Sequence, residues 1–143
     1  MTQGYETRET NWGGRPVRVL ARTSEERDFL ERMKENPKRN ERFCLIKRAI
    51  EKMFDRGIDV CLKRKNFLRQ LDGGVSLFEA KVAGQVIRVM TYLHKWSGGI
   101  GMVLLFDFDG HQGNDKIPKQ FIEKGRRLAR EAKACIEKER VWQ

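Results

Sequence analysis

The side chains able to do chemistry in this 143-residue chain are mostly cations, 30 Lys and Arg against 20 Asp and Glu, for a formal charge of +10 at pH 7. They are bunched. Residues 62–71 hold Lys63, Arg64, Lys65 and Arg69 with no acid, and residues 116–140 hold nine basic side chains against four acidic. Such segments suit a polyanion or an acidic protein partner. The two histidines, His94 and His111, have no HxxxH spacing and no cysteine beside them, so a zinc site is not expected. Cys44, Cys61 and Cys135 form no CxxC pair, and three reduced thiols are expected, Cys44 and Cys135 filling helix positions.

The elements that must position these groups are read from periodicity. Residues 1–15 hold Gly4, Gly13 and Gly14 among polar neighbours and are expected to be a loose tail, followed by a single domain over 16–143. Val17, Val19 and Ala21 alternate with Arg18, Leu20 and Arg22 as a first strand. Thr23 or Ser24 is expected to cap a helix with Glu25 and Glu26 in its first turn, ending at Asn36-Pro37. Phe43, Ile46, Ala49, Ile50, Met53 and Phe54 recur at helical spacing, and Gly57 terminates that second helix. Residues 77–82 and 86–93 then alternate on either side of Gly84 as a hairpin. Residues 95–101 are expected to form a Gly-rich loop, and 102–108 a strand buried on both faces. Pro118 opens a last helix, with Phe121, Gly125, Leu128, Ala129, Ala132 and Ile136 along one side.

The resulting order, β-α-α-β-β-β-α, implies an α+β domain with a small, mainly antiparallel sheet, a helical hairpin and a C-terminal helix. The helices are expected on one side of the sheet. No apolar run approaches the roughly 20 residues of a membrane span, and residues 1–15 lack a signal peptide's apolar core. A soluble, cytoplasmic protein with no membrane partner is expected.

Two motifs compete for the chemistry. Leu104-Leu105-Phe106-Asp107-Phe108-Asp109-Gly110 resembles the first motif of haloacid-dehalogenase-type phosphatases, in which the two aspartates would serve as nucleophile and acid/base around magnesium. His111 stands where that family prefers Thr or Val, and too few residues follow Gly110 for its remaining strands and ligands. The match is read as an accident. The longer series is Lys65-Asn-Phe-Leu68-Arg-Gln-Leu71, then Leu77-Phe78-Glu79-Ala80-Lys81, Val86-Ile87-Arg88-Val89-Met90-Thr91-Tyr92, an apolar strand, and Lys116-Ile117-Pro118-Lys119. It resembles the RelE/ParE superfamily of toxins from bacterial toxin–antitoxin pairs, nearest to the phage-derived HigB-like branch. The resemblance covers residues 17–138, and its specific part is 65–118.

That resemblance implies a toxin-like endoribonuclease that cuts messenger RNA, in many members on the ribosome, with no metal or other cofactor. The 2′-hydroxyl attacks the adjacent phosphate, which requires a base, an acid for the leaving 5′-oxygen, and cations around the phosphate. On this resemblance Arg88 stabilises charge, Lys81 stands at a family Arg position, and His111, Tyr92 or Lys116 transfers protons. Lys63, Lys65, Arg69 and Lys119 are expected to bind RNA. Within their strands, Glu79, Lys81, Arg88 and Tyr92 have the parity of one sheet face. Arg88→Ala is expected to cut cleavage at least tenfold and leave the fold intact. A cognate antitoxin protein is the implied partner. The alternative is a catalytically weak or non-enzymatic relative that binds gyrase, RNA or protein. Convergence of Lys65, Arg88, Tyr92 and His111 on one open cleft would favour the nuclease, and dispersal would favour the binder.

Overall fold

The computed structural model describes residues 4–84, 86–110 and 116–143. The chain runs β1 (Tyr5–Glu9), β2 (Val17–Arg22), α1 (Phe29–Glu35), α2 (Asn40–Arg56), α3 (Ile58–Leu62), β3 (Leu68–Asp72), β4 (Leu77–Val82), β5 (Ile87–Trp96), β6 (Gly99–Asp109) and α4 (Lys119–Glu139). Six strands form one sheet in the order β1-β2-β6-β5-β4-β3. Only β2 against β6 is parallel; β1–β2, β3–β4, β4–β5 and β5–β6 are antiparallel. The molecule is the α+β type that the alternating strands and amphipathic helices imply.

The expected one-sided arrangement of helices is corrected. Phe78, Ala80, Val82 and Val89 pack in a core with Leu30 and Met33 of α1, Ile46 and Ile50 of α2, and Ile58 of α3. Leu77, Met90, Tyr92 and Val103 pack instead with Leu128, Ala129, Ala132 and Ile136 of α4. Neighbouring strand residues point to opposite faces, so the helical hairpin covers one face and α4 the other. Both sides of the central strands are therefore covered: every residue of β4 is buried, Glu79 and Lys81 included. Each fully buried aliphatic side chain there contributes about 1.5–3 kcal/mol.

The N-terminal segment is a second correction. Residues Tyr5 to Glu9 pair in register with Arg22 to Arg18, and Trp12 is buried, its ring edge-on to Phe43 at 6.2 Å. A β2 left at the sheet edge would expose unpaired N–H and C=O groups, and β1 covers them. Its sequence, Tyr-Glu-Thr-Arg-Glu, hides this role because only Thr7 is fully buried. Thr7 also receives the α4 end: its N–H donates to Glu139 Oε2 at 3.0 Å, and its hydroxyl bonds Oε1.

Local boundaries shift as well. The cap of α1 is Asp28, whose carboxylate accepts from the Glu31 N–H at 2.9 Å, so Thr23 and Ser24 precede the helix by a turn. The expected loop over 95–101 is mostly strand, with Trp96 opposite Gly99 across a tight turn. Strand β3 was not expected, and it adds Arg69 beside Glu79. Helix α2 does end at Gly57, where φ is +99°. Gly125 lets α4 lie close on the sheet, since a Cβ there would stand 3.0 Å from Leu77 Cδ2.

Candidate functional site

The strand register decides which cations meet. Residues directly opposite one another share a sheet face. Arg69 of β3 lies opposite Glu79 of β4, Lys81 of β4 opposite Arg88 of β5, and Arg88 opposite Phe108 of β6. Arg69, Glu79, Lys81 and Arg88 thus gather on the α4 face, at the end where Phe121, in the first turn of α4, packs 5.3 Å from Phe108.

Glu79 is the hub of this group and is fully buried. Its Oε2 accepts from Arg88 Nη1 at 2.9 Å, and its Oε1 lies 3.2 Å from Arg69 Nε and 3.1 Å from Arg69 Nη2. A carboxylate taken from water without partners is strongly destabilising, and two guanidinium groups satisfy both of its oxygens here. Arg88 is only 1% exposed and Lys81 5%. Glu79, Arg88 and Lys81 are enclosed, Arg69 is partly exposed at the margin, and the knot ties three strands to one another.

The remaining site candidates fall into three places. Tyr92 shares the face but lies opposite Leu77 and Val103, four residues along β5 from Arg88, or about 13 Å at strand rise. Its hydroxyl pairs with His94 Nδ1 at 2.8 Å. Burial, with Glu137 adding, pushes its pKa up to about 12, so the phenol keeps its proton at neutral pH and is no general base there. Lys63 and Lys65 are exposed on the turns between α3 and β3. Lys116 and Lys119 are exposed at the approach to α4. His111 lies outside the described residues. The structure thus brings Arg69, Lys81 and Arg88 together, and it leaves Tyr92 outside their reach.

Asp107 and Asp109 project on the opposite face, toward α2. Arg42 Nε donates to Asp107 Oδ2 and Arg42 Nη1 to Asp109 Oδ1, each at 2.7 Å, and Arg39 Nη2 reaches Asp107 at 3.2 Å. Partial burial opposes the Arg42 charge, but the two carboxylates raise its pKa above the ordinary arginine value. These acids serve as a clamp between α2 and β6. Among the described residues no cluster of three or more His, Cys, Asp or Glu is arranged to hold a metal, and no helix is long and apolar enough to cross a membrane.

The residues read earlier as RNA-binding include one with a different duty, since Arg69 is tied to Glu79. A second cationic cluster, built from β1, β2 and α4, was not foreseen because its recognition depends on β1. A scan against protein-family models returns no match for the chain, and searches of curated proteins and of solved structures return none either.

Proposed function

We propose that this chain is a toxin-like endoribonuclease of the RelE/ParE kind, nearest the HigB-like branch, acting on messenger RNA without a metal and held in check by a cognate antitoxin in the cytoplasm. The observation that carries the reading is the pair of exposed lysines, Lys116 and Lys119, at the approach to α4, beside the end of the sheet that Arg69, Lys81 and Arg88 hold together from three strands. The motif series running from Lys65 to Pro118 supports the same reading.

Within this proposal the strand-borne cations take a different part from the one first expected. Arg88 and Lys81 are too enclosed to grip a phosphate from outside, and they act as positioning residues that hold the platform. The RNA backbone lies along Lys116 and Lys119. The 2′-hydroxyl attacks the neighbouring phosphorus and loses its proton to a base, for which the sequence offers His111. The P–O5′ bond breaks, the departing oxygen takes a proton from the Lys116 ammonium, and a 2′,3′-cyclic phosphate remains. The second reading is a non-enzymatic RNA or protein binder, and it is favoured by the enclosure of Arg88 and the distance of Tyr92.

Induced expression of wild type, Lys116→Ala and His111→Ala in a bacterial host, with growth and transcript 5′ ends followed together, tests this. Growth arrest with new 5′ ends, reduced at least tenfold in both variants, is the expected result. Arrest without new ends would replace the nuclease by the binding reading, with gyrase as the first target to assay. New ends undiminished in both variants would move the reacting groups elsewhere.

A further inference from the structure

A second cationic cleft lies across α4 from the Glu79 knot, at the same end of the sheet. Tyr5 at the start of β1 sits opposite Arg22 at the end of β2, and Lys124 and Arg127 of α4 face them over Phe106 of β6. The cleft encloses about 250 Å³. Four cations line it, Arg22, Arg32, Lys124 and Arg127, against the single acid Glu25. Glu25 is already taken, since Arg32 Nη1 donates to it at 2.8 Å.

The other three cations are held in an unusual way. The Arg22 guanidinium lies 5.1 Å from the centre of the Tyr5 ring, and Lys124 Nζ lies 4.3 Å from the centre of the Phe106 ring. Arg127 Nη1 donates to the Tyr5 hydroxyl at 3.3 Å. Among the described residues, none of the three forms an ion pair with a carboxylate. An aromatic face orients a cation while leaving its N–H donors and its charge in place. A carboxylate would neutralise both. Rings and a phenol thus pre-organise three donors around a cleft that lacks a free acid, which is the arrangement a multi-oxygen anion requires.

We infer that this cleft binds a backbone phosphate of single-stranded RNA, as a second grip on a strand held at Lys116 and Lys119. The inference rests on the RNA reading above and adds a separate place of contact to it. The Phe121 ring in the first turn of α4 lies 6.3 Å from Phe106 and 5.3 Å from Phe108, and Phe108 lies opposite Arg88, so the cleft and the proposed cleavage site flank the same turn of α4. A strand crossing that turn reaches both. The cleft includes Tyr5, which lies ahead of the segment resembling RelE/ParE proteins.

The test is a salt titration of the full chain with a labelled single-stranded oligoribonucleotide, 2′-O-methylated to block cleavage, read by fluorescence anisotropy. Arg22→Ala, Lys124→Ala and Arg127→Ala are compared with Lys52→Ala, an exposed lysine on the opposite helical layer. Each cleft variant is expected to lower the log–log salt slope by about 0.7 and to weaken binding about fivefold at 0.1 M salt, with Lys52→Ala unchanged. Circular dichroism melts confirm that each variant is folded. Wild-type binding with unaltered slopes in all three cleft variants would overturn the cleft and leave the RNA reading standing. Failure of the wild type to bind RNA, with capture of a glutamate-rich peptide that the cleft variants lose, would overturn both and assign the cleft to an acidic protein segment.

Discussion

The two cationic regions flanking the first half of α4 use the same side-chain types to opposite ends. In the knot, buried Arg88 and partly exposed Arg69 close on the buried Glu79, and their charge joins β3, β4 and β5. In the cleft, Arg22 and Lys124 rest on aromatic rings, and their charge faces solvent. The type of residue beside a cation therefore separates a structural arginine from a binding one. A buried carboxylate makes removal of its partner costly, and a ring makes it cheap.

Three measurements of stability test that contrast. Arg88→Ala leaves Glu79 buried with one guanidinium partner gone, and urea unfolding should show a loss of about 3–5 kcal/mol. This differs from the sequence-based expectation of an intact fold, and a variant as stable as wild type would show that Arg88 does not hold the knot together. Tyr92→Phe comes next, losing about 1 kcal/mol at neutral pH with the bond to His94. Its pH dependence tests the burial of the phenol. The folded phenol titrates near 12 against an ordinary value of 10.0, so the unfolded chain releases the Tyr92 proton first as pH rises. Wild-type stability should then fall between about pH 10 and 12, and Tyr92→Phe should lose that part of the decline. An equal decline in both proteins would remove burial as the cause. Smallest of all, Arg22→Ala and Lys124→Ala should shift thermal unfolding by about 0.5–1 kcal/mol each. Losses as large as that of Arg88→Ala would erase the distinction between the regions.

Much of the fold was legible because it is written in local periodicity. The alternation over β4 and β5 specified a hairpin and put Glu79, Lys81, Arg88 and Tyr92 on one face, and the register agrees. The apolar stripe from Phe43 to Phe54 and the stop at Gly57 specified α2. Strand β1 was not legible, since an edge strand with one buried residue carries almost no hydrophobic alternation. Strand β3 escaped for a related reason: its Arg-Gln pair reads as polar turn until Arg69 is seen lying along Glu79. The Asp107–Asp109 motif looked like acid chemistry in isolation, and only the return of α2 across β6 supplies the arginines that occupy both carboxylates.

Residue type and short-range spacing are enough to specify the α+β class, the faces of the central strands and the excess of positive charge. Tertiary structure alone decided which cations are enclosed and which face solvent. Arg22 and Arg88 are the same residue type, each in a strand that alternates in sequence. One meets a ring contributed by residue 5 and the other a carboxylate contributed by residue 79. The energy of a charge depends on what lies within a few ångströms of it, and for both arginines that neighbour comes from another strand.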